Sequence, residues 1–430
     1  MSRKTRILIL GGGSGGLELA AQLAGRRDID VTLIDRVTSH LWKPRLHEFA
    51  AGTVSSSLAE ISFYILGQLR GFRFEQGEVV GIEHAMKAVR LAPMRDERGA
   101  VVTPERLLTY DYCVVALGGV TPDFNTTGVA EHAVRLDGQG DAEAFRQRFI
   151  RHMIRARSTG VPADIVIIGS GATGTELAAH LRHSERAFFD WSQNAPGDSP
   201  KLLNLTILEA APELMPGAEP ALRDKLLERL RALDIKVVTD AKITRIDVQE
   251  IRTATGESWP SDITVWAAGL IGNPILARLG AFKLDKKGRI LVDTHLRSTT
   301  DDAVYVMGDS AACTPEGADA PLPPTAQAAS QQAQYLAQAL PRVMVNAPVE
   351  DFTFRNKGRL VSLAGAGAVG MIGLRRRDDI LIHGQFAAAA YDALQRQHQW
   401  RVLGPLRGSV AILADLISPT AGPPLKLHGG

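Results

Sequence analysis

The sequence has little of three features: cysteine, long apolar runs and an excess of charge of one sign. Its 430 residues include two cysteines, Cys113 and Cys313, without a CxxC pair or a disulfide framework, which favours a reducing compartment. We find no run of the ~18 apolar residues that a membrane-spanning helix needs. The net charge of +2 does not predict nucleic acid as a partner. The length indicates two or three domains.

A glycine-rich stretch near the start, ILILGGGSGGLELA (7–20), predicts a dinucleotide-binding unit. A short apolar strand precedes Gly11, Gly13 and Gly16, which match G-x-G-x-x-G, and apolar residues follow at helical spacing. Gly11 allows a tight turn, Gly13 lets a pyrophosphate approach, and Gly16 lets the helix pack on the sheet. The next strand ends in Asp35, about 20 residues on, where a carboxylate accepts hydrogen bonds from a ribose.

A second stretch, IVIIGSGATGTELA (165–178), repeats the pattern with Gly169, Gly171 and Gly174. The following strand ends in Glu209, which lies further along the chain than the usual ~20 residues because a polar insert (182–201) intervenes. No arginine follows Glu209 to bind a 2′-phosphate, so this unit favours NADH over NADPH. A basic residue from elsewhere in the chain stays an alternative.

Two such units imply two nucleotides, and the order of segments resembles the two-dinucleotide-binding flavoprotein family. Two strands ending in an A-x-G turn (110–119 and 265–269) and the stretch VYVMGDSAA (304–312) carry this resemblance. Within that family the chain resembles the type II NADH dehydrogenases, which are single-subunit NADH:quinone oxidoreductases. Four stretches carry the narrower resemblance: 33–52, 325–337, 352–370 and 384–418.

The glycine patterns and the resemblance together assign cofactors and site residues. FAD is expected on the first unit, with NADH as the substrate on the second. The FAD set is Gly11, Gly13, Ser14, Gly15, Gly16, Asp35, Arg36, Ala116, Gly118, Asp309 and Gln327. The NADH set is Gly169, Gly171, Gly174, Glu209, Ala268 and Gly269. The resemblance implies catalytic roles for Glu176, Gln327, Gln331 and Lys357.

Each catalytic candidate also has a plain structural interpretation. Glu176 could complement the positive end of a helix, and Lys357 could be a surface lysine. Gln327 and Gln331, four residues apart, could form a solvent-facing stripe, although the alanines around them favour close packing. Thr325 is the expected cap of their helix, whose N-terminus would stabilise a reduced flavin.

The cysteines and histidines predict neither a dithiol nor a metal centre. One thiol near a flavin cannot cycle as a pair, which argues against disulfide reductases and sulfide:quinone reductases. His180 and His183 lie three apart on a predicted helix, but no third ligand is in register, and His40 and His47 show no metal pattern. No metal is therefore expected.

The C-terminal segment 385–418 leaves open how the chain meets a membrane. A weak apolar stripe, a polar stretch and a second apolar run after Pro405 fit two short interfacial helices, with Arg401 and Arg407 available to anionic headgroups. The segment is more polar and less aromatic than is usual in the resembled family. A helical pair that caps the core or forms a homodimer contact is the alternative.

These expectations combine into an α/β protein with two interleaved Rossmann-like domains and a C-terminal region. The predicted division is 1–120 and 285–345 for FAD, 121–160 as a connection, 161–284 for NADH, and 346–430 as the C-terminal region. The expected function is non-pumping transfer of electrons from NADH through FAD to a quinone, at the cytoplasmic face of the cell membrane. The alternatives are a soluble NADH-dependent reductase of a protein or small-molecule acceptor, and a flavin redox sensor resembling apoptosis-inducing factor.

Overall fold

The fold is given by a computed structural model, which describes residues 3–54, 60–190, 201–374 and 377–417. Residues 191–200 of the predicted polar insert and residue 418 of the C-terminal segment lie outside these ranges. The helices within them are α1 (Ser14–Leu23), α2 (Leu46–Ala51), α3 (Phe63–Arg70), α4 (Val129–His132), α5 (Gln139–Thr159), α6 (Ala172–Asp190), α7 (Pro220–Ala232), α8 (Ala326–Val343), α9 (Gln385–Leu403) and α10 (Pro405–Ile417).

Two five-stranded parallel sheets form the framework, and each has a strand that leads into a glycine loop at its centre. The first sheet has the order Val304–Val306, Tyr112–Val115, Thr5–Leu10, Ile29–Asp35, Arg73–Gln76. The second has the order Ala133–Val134, Ile263–Trp266, Ala163–Ile168, Leu203–Leu208, Ile235–Val238. The first sheet takes an edge strand from beyond the second sheet, so the two units are interleaved.

The central strands are apolar on both sides because helices or smaller sheets cover both faces. In the first sheet Ile7 and Ile9 face one buried cluster, whereas Leu8 and Leu10 face another. Successive side chains of a strand point to opposite faces, so these clusters lie on opposite sides of the sheet.

Smaller sheets attach to this framework. Three antiparallel sheets have three strands each: Arg106–Thr109, Ala88–Leu91 and Val79–Glu83; Ile243–Ile246, Glu250–Thr253 and Ser258–Pro260; Arg359–Ser362, Ala368–Leu374 and Arg377–Gly384. The two-stranded pairs are Gly119–Val120 with Ile271–Gly272, Ile290–Leu291 with Ala311–Ala312, Ser39–Leu41 with Glu60–Ser62, and Met94–Arg95 with Val101–Thr103.

The C-terminal region packs on both nucleotide units. Val361 and Val369 of its antiparallel sheet belong to the core around the second parallel sheet. Val402 of α9 belongs to a core cluster of the first. Within the described ranges, none of the helices has the length and apolar character that a membrane crossing requires.

The predicted fold class is confirmed: two parallel glycine-loop units, interleaved, with a helical C-terminal region. Thr325 caps α8 as expected, since its side chain accepts a hydrogen bond from the backbone of Ala328 at 3.1 Å. The C-terminal helices divide between Leu403 and Pro405, but the first, at 19 residues, is longer than expected. The domain boundaries stay a prediction.

Candidate active site

The first glycine loop joins its strand to α1 through close backbone contacts. Gly11 has a φ of 103°, and a Cβ there would collide with the carbonyl oxygen of Ala116. A Cβ on Gly16 would collide with the carbonyl oxygen of Gly11, so α1 can begin this close to the strand only without a side chain. A Cβ on Gly12 would collide with the ring of Phe63.

The space beside this loop fits an anionic nucleotide. A Cβ on Gly13 would meet nothing within 4 Å, although the neighbouring glycines are crowded. The start of α1 has no side-chain cap and no acidic residue in its first turn, so its N–H groups suit an anion. Asp35 accepts hydrogen bonds from the backbone of Gly12 at 2.6 Å and of Val37 at 3.1 Å. Around this space the predicted FAD residues Ser14 and Gly15 lie in the first turn of α1, and Arg36 is exposed.

The second loop repeats the same geometry. Gly169 has a φ of 102°, and a Cβ there would lie 2.8 Å from the carbonyl oxygen of Ala267. A Cβ on Gly174 would collide with the carbonyl oxygen of Gly169, whereas one on Gly171 would meet nothing within 4 Å. Both loops therefore have two crowded glycines around one that leaves open space.

Glu209 organises the second loop from the end of the neighbouring strand. Its Oε2 accepts hydrogen bonds from the backbone N–H of Ser170 at 2.8 Å and from the Ser170 hydroxyl at 2.7 Å. Its Oε1 accepts one from the backbone of Ala211 at 2.9 Å. The carboxylate therefore lies where it can accept a hydrogen bond from a ribose hydroxyl.

A cavity of about 620 Å³ lies against the second loop. Its lining includes five of the predicted NADH residues, Gly169, Gly171, Glu209, Ala268 and Gly269. Lys242 is also on the wall and is exposed. The sequence pattern after Glu209 did not reveal this cation, because Lys242 follows a later strand.

The turn that carries Asp309 is held by α8. The Gly308 backbone donates a hydrogen bond to Oε1 of the buried Gln332 at 2.6 Å. Burial raises the pKa of Asp309, and the nearby charges of Lys43 and Arg289 oppose this shift. Gln332, which the sequence analysis did not single out, therefore fixes the turn that presents this carboxyl.

The predicted A-x-G turn lies beside the same carboxyl. Ala116 borders Gly11, and Gly118 has a φ of 72°. The carbonyl oxygen of Gly118 accepts a hydrogen bond from the Ser310 hydroxyl at 3.2 Å. The two predicted segments of the FAD unit therefore meet.

Gln327 and Gln331 bind the segment that carries Lys357 rather than facing solvent freely. Gln327 accepts a hydrogen bond from the Lys357 backbone at 2.7 Å and donates one to the Gly358 carbonyl at 3.3 Å. Gln331 exchanges two hydrogen bonds of 2.9 Å with the backbone of Arg355. The Lys357 side chain is exposed, so the glutamines position it through its backbone.

Glu176 is buried where three parts of the chain meet. Its Oε1 accepts a hydrogen bond from the Ser362 backbone at 3.0 Å, and its Oε2 lies 3.5 Å from His47 Nδ1. Burial raises the pKa of Glu176 well above its ordinary value, although the bond from Ser362 opposes this. Burial therefore favours the protonated form of Glu176, which is not a solvated charge at a helix start.

His180 contributes to the same cluster. Thr53 Oγ1 donates to the Glu48 carbonyl at 3.0 Å, so it accepts from His180 Nδ1 at 2.9 Å. His180 Nε2 then accepts from the Ser362 hydroxyl at 3.2 Å. Burial is the main cause that lowers the pKa of His180 to about 3, and His183 is exposed.

The cluster brings His180 together with two groups that the sequence pattern did not connect to it. His47, Glu48 and His180 each offer one ligand atom, and these atoms lie within 4.8 Å of one another. However, both nitrogens of His180 have hydrogen-bond partners, and Glu48 pairs with Arg45 at 2.6 Å. The expected lack of a metal stays a prediction.

Comparison with known proteins agrees with this geometry. The family model described as pyridine nucleotide-disulphide oxidoreductase matches residues 5–333. A type II NADH:quinone oxidoreductase of Haemophilus influenzae is 31% identical over 444 residues, covering 98% of this chain and 99% of the relative.

Two solved structures share the fold. NDH2 of Plasmodium falciparum in complex with NADH has a TM-score of 0.78 at 18% identity, covering 97% of this chain and 100% of that one. The sulfide:quinone oxidoreductase of Aquifex aeolicus has a TM-score of 0.74 at 17% identity, covering 96% and 95%. At these identities the likeness concerns the fold alone.

The glycine geometry predicts opposite outcomes for two alanine variants. Gly16→Ala should lose roughly 1–3 kcal/mol of stability because its Cβ overpacks the loop. Gly13→Ala should stay within about 0.5 kcal/mol, yet it should weaken dinucleotide uptake because it fills the open space. Thermal unfolding and nucleotide titration of both variants measure this, and equal melting temperatures would contradict the assignment.

Proposed function

The chain belongs to the pyridine nucleotide-disulphide oxidoreductase family and, within it, to the type II NADH:quinone oxidoreductases, and on that premise we propose how it oxidises NADH and reduces a quinone. Gly11, Gly13, Gly16 and Asp35 of the first loop would hold FAD, which would supply the chemistry of hydride uptake and electron transfer when bound. The chain's own residues bind, orient and supply protons.

One observation carries the placement of the reaction: the short strand Arg359–Ser362 joins both groups of catalytic candidates. Just before it, Gln327 of α8 holds the Lys357 backbone. At its end, the Ser362 backbone donates to Glu176 of α6. α8 packs on the FAD unit and α6 belongs to the NADH unit, so this strand supports a reaction centre between the two loops.

Glu176 is the proposed proton donor. Reduction of a quinone to a quinol takes two electrons and two protons. The hydride from NADH accounts for both electrons and one proton, so one further proton must be supplied. Burial favours the protonated form of the Glu176 carboxyl, and because Oε1 accepts from Ser362, the proton of that form lies on Oε2. His47 faces this oxygen and can orient it.

The cysteines do not support the chemistry of a disulfide reductase or of a sulfide:quinone reductase. Cys113 and Cys313 are both free and buried. They belong to the clusters on opposite faces of the first sheet, so they cannot pair.

An apolar patch supports attachment to a membrane surface. We define the patch by Leu406, Val410 and Leu413, which lie on one face of α10 and have exposed side chains. Arg407 donates to the Leu69 carbonyl at 3.2 Å and so ties α10 to α3. Exposed apolar side chains with arginine nearby suit an anionic lipid interface. We propose the cytoplasmic face of the cell membrane as this interface.

Arg401 does not share this role. Its guanidinium donates to the Ser330 hydroxyl at 2.6 Å and lies 3.7 Å from Glu18. Of the two arginines that the sequence analysis offered to anionic lipid headgroups, only Arg407 is retained in the proposal. A homodimer stays a prediction.

Gln327→Leu tests the proposed reaction centre. Leucine can neither accept from Lys357 nor donate to Gly358, so quinone reduction should slow by about tenfold or more while NADH-driven flavin reduction stays within about twofold. Stopped-flow measurement of the two half-reactions checks this. Gln338→Leu, an exposed position on the same helix, is the control. Equal slowing of both halves would contradict the assignment.

Glu209→Gln tests nucleotide choice. The amide oxygen can keep one loop contact, but the loss of charge lets Lys242 bind a 2′-phosphate, so the kcat/KM ratio of NADPH to NADH should rise about tenfold. Steady-state kinetics with both nucleotides measures the ratio. The exposed Glu228→Gln is the matched control, and an unchanged ratio in Glu209→Gln would refute the assignment.

Leu406→Glu with Val410→Glu tests membrane attachment. Two carboxylates in the apolar patch should reduce sedimentation with anionic vesicles by about tenfold, because apolar burial is lost and the lipids repel the new charge. Val248→Glu changes an equally exposed apolar residue outside the patch and should bind as the wild type does. Wild-type binding by the double variant would count against the patch.

A further inference from the structure

A buried hydrogen-bonded chain runs from the first glycine loop to α9. His40 Nδ1 lies 2.9 Å from the Gly12 carbonyl oxygen, and His40 Nε2 lies 3.1 Å from His398 Nε2. His398 Nδ1 lies 2.7 Å from Glu18 Oε1. All three side chains are at most 5% exposed. We call these residues the His40–His398–Glu18 chain.

The three contacts of this chain need one more proton than two neutral histidines carry. Both ends are acceptors, the Gly12 carbonyl oxygen and the Glu18 carboxylate, and each contact requires one hydrogen. A neutral imidazole has a single N–H, so two supply two of the three. All three hydrogen bonds of the His40–His398–Glu18 chain form only when it holds a third proton.

His40 does not hold the added proton, which leaves the His398–Glu18 pair to share it. Burial, and then the charge of His398, lower the pKa of His40 to about 3, so His40 is neutral and donates from Nδ1 to Gly12. The other groups that face the pair are the Arg401 guanidinium at 3.7 Å, the Ser330 hydroxyl at 2.7 Å, and Trp42, which stacks on His398. His398 Nε2–H therefore donates to His40.

We propose that His398 is a positioning residue which, through His40 and one proton shared with Glu18, holds the first glycine loop in its dinucleotide-binding form. The proposal rests on the proposed function in that this loop binds FAD. Gly12 is held on both sides, since its N–H donates to Asp35 and its carbonyl accepts from His40.

Loss of the shared proton has a definite consequence. The two Nε2 lone pairs of His40 and His398 then face each other at 3.1 Å, so the chain opens and the Gly12 peptide loses its support. Affinity for FAD should therefore fall with rising pH.

Two substitutions distinguish the effect of the added proton on FAD affinity from the effect of side-chain packing. In Glu18→Gln the amide donates to His398 Nδ1 and completes the three contacts without an added proton. In His398→Ala the hydrogen bonds that His398 makes in the His40–His398–Glu18 chain are lost at every pH. Matched controls are Glu78→Gln and His383→Ala, which change exposed residues outside the chain.

The experiment measures FAD release from each holoprotein by flavin fluorescence, from about pH 5.5 to about pH 9.5, which brackets histidine titration. The wild type and both controls should show a dissociation constant that rises about tenfold with pH. Glu18→Gln should be flat at the tight value, and His398→Ala flat at the weak value.

A wild-type slope in Glu18→Gln, or a pH-independent wild type, would overturn the inference while leaving the proposed function intact. A wild-type protein that binds no FAD would overturn the proposed function and the inference together. If His398→Ala does not fold, as judged by thermal unfolding, the comparison of Glu18→Gln with the wild type decides alone.

Discussion

The fold depends on one constraint that occurs twice: a helix begins in van der Waals contact with the backbone of the strand before it. Gly16 lies against the Gly11 carbonyl, and Gly174 against that of Gly169. This closeness aims the start of each helix into the space beside its loop. In each unit the neighbouring parallel strand ends at the same edge of its sheet as the strand that leads into the loop. Asp35 therefore lies beside the first loop, and Glu209 lies beside the second.

The local parts of the site could be predicted because they depend on neighbours in sequence. The glycine spacing, the apolar runs and the acids at the strand ends all lie within one strand–loop–helix–strand unit, and the fold class followed from finding two of them. Thr325 as a helix cap is equally local. Such patterns are enforced by backbone sterics, which leave few residue choices.

The remaining parts could not be predicted because they depend on pairing between distant segments. Glu176 had a helix-charge interpretation until its burial against Ser362 and His47 was known. Lys242 lies on the wall of the NADH cavity, in the connection that follows the strand Ile235–Val238. Histidine spacing along the chain could not show that His40 meets His398 on α9. In each case tertiary contact changes the protonation or role of a side chain.

The C-terminal region links the two units, through Ser362 on one side and His398 on the other, and this arrangement serves electron transfer only if both nucleotides bind one chain. Anaerobic titration of the isolated protein with NADH tests this most directly. One equivalent of NADH should bleach the visible flavin absorbance of each chain, and one equivalent of quinone should restore it. A colourless protein, or a bound flavin that stays oxidised with excess NADH, would contradict this expectation.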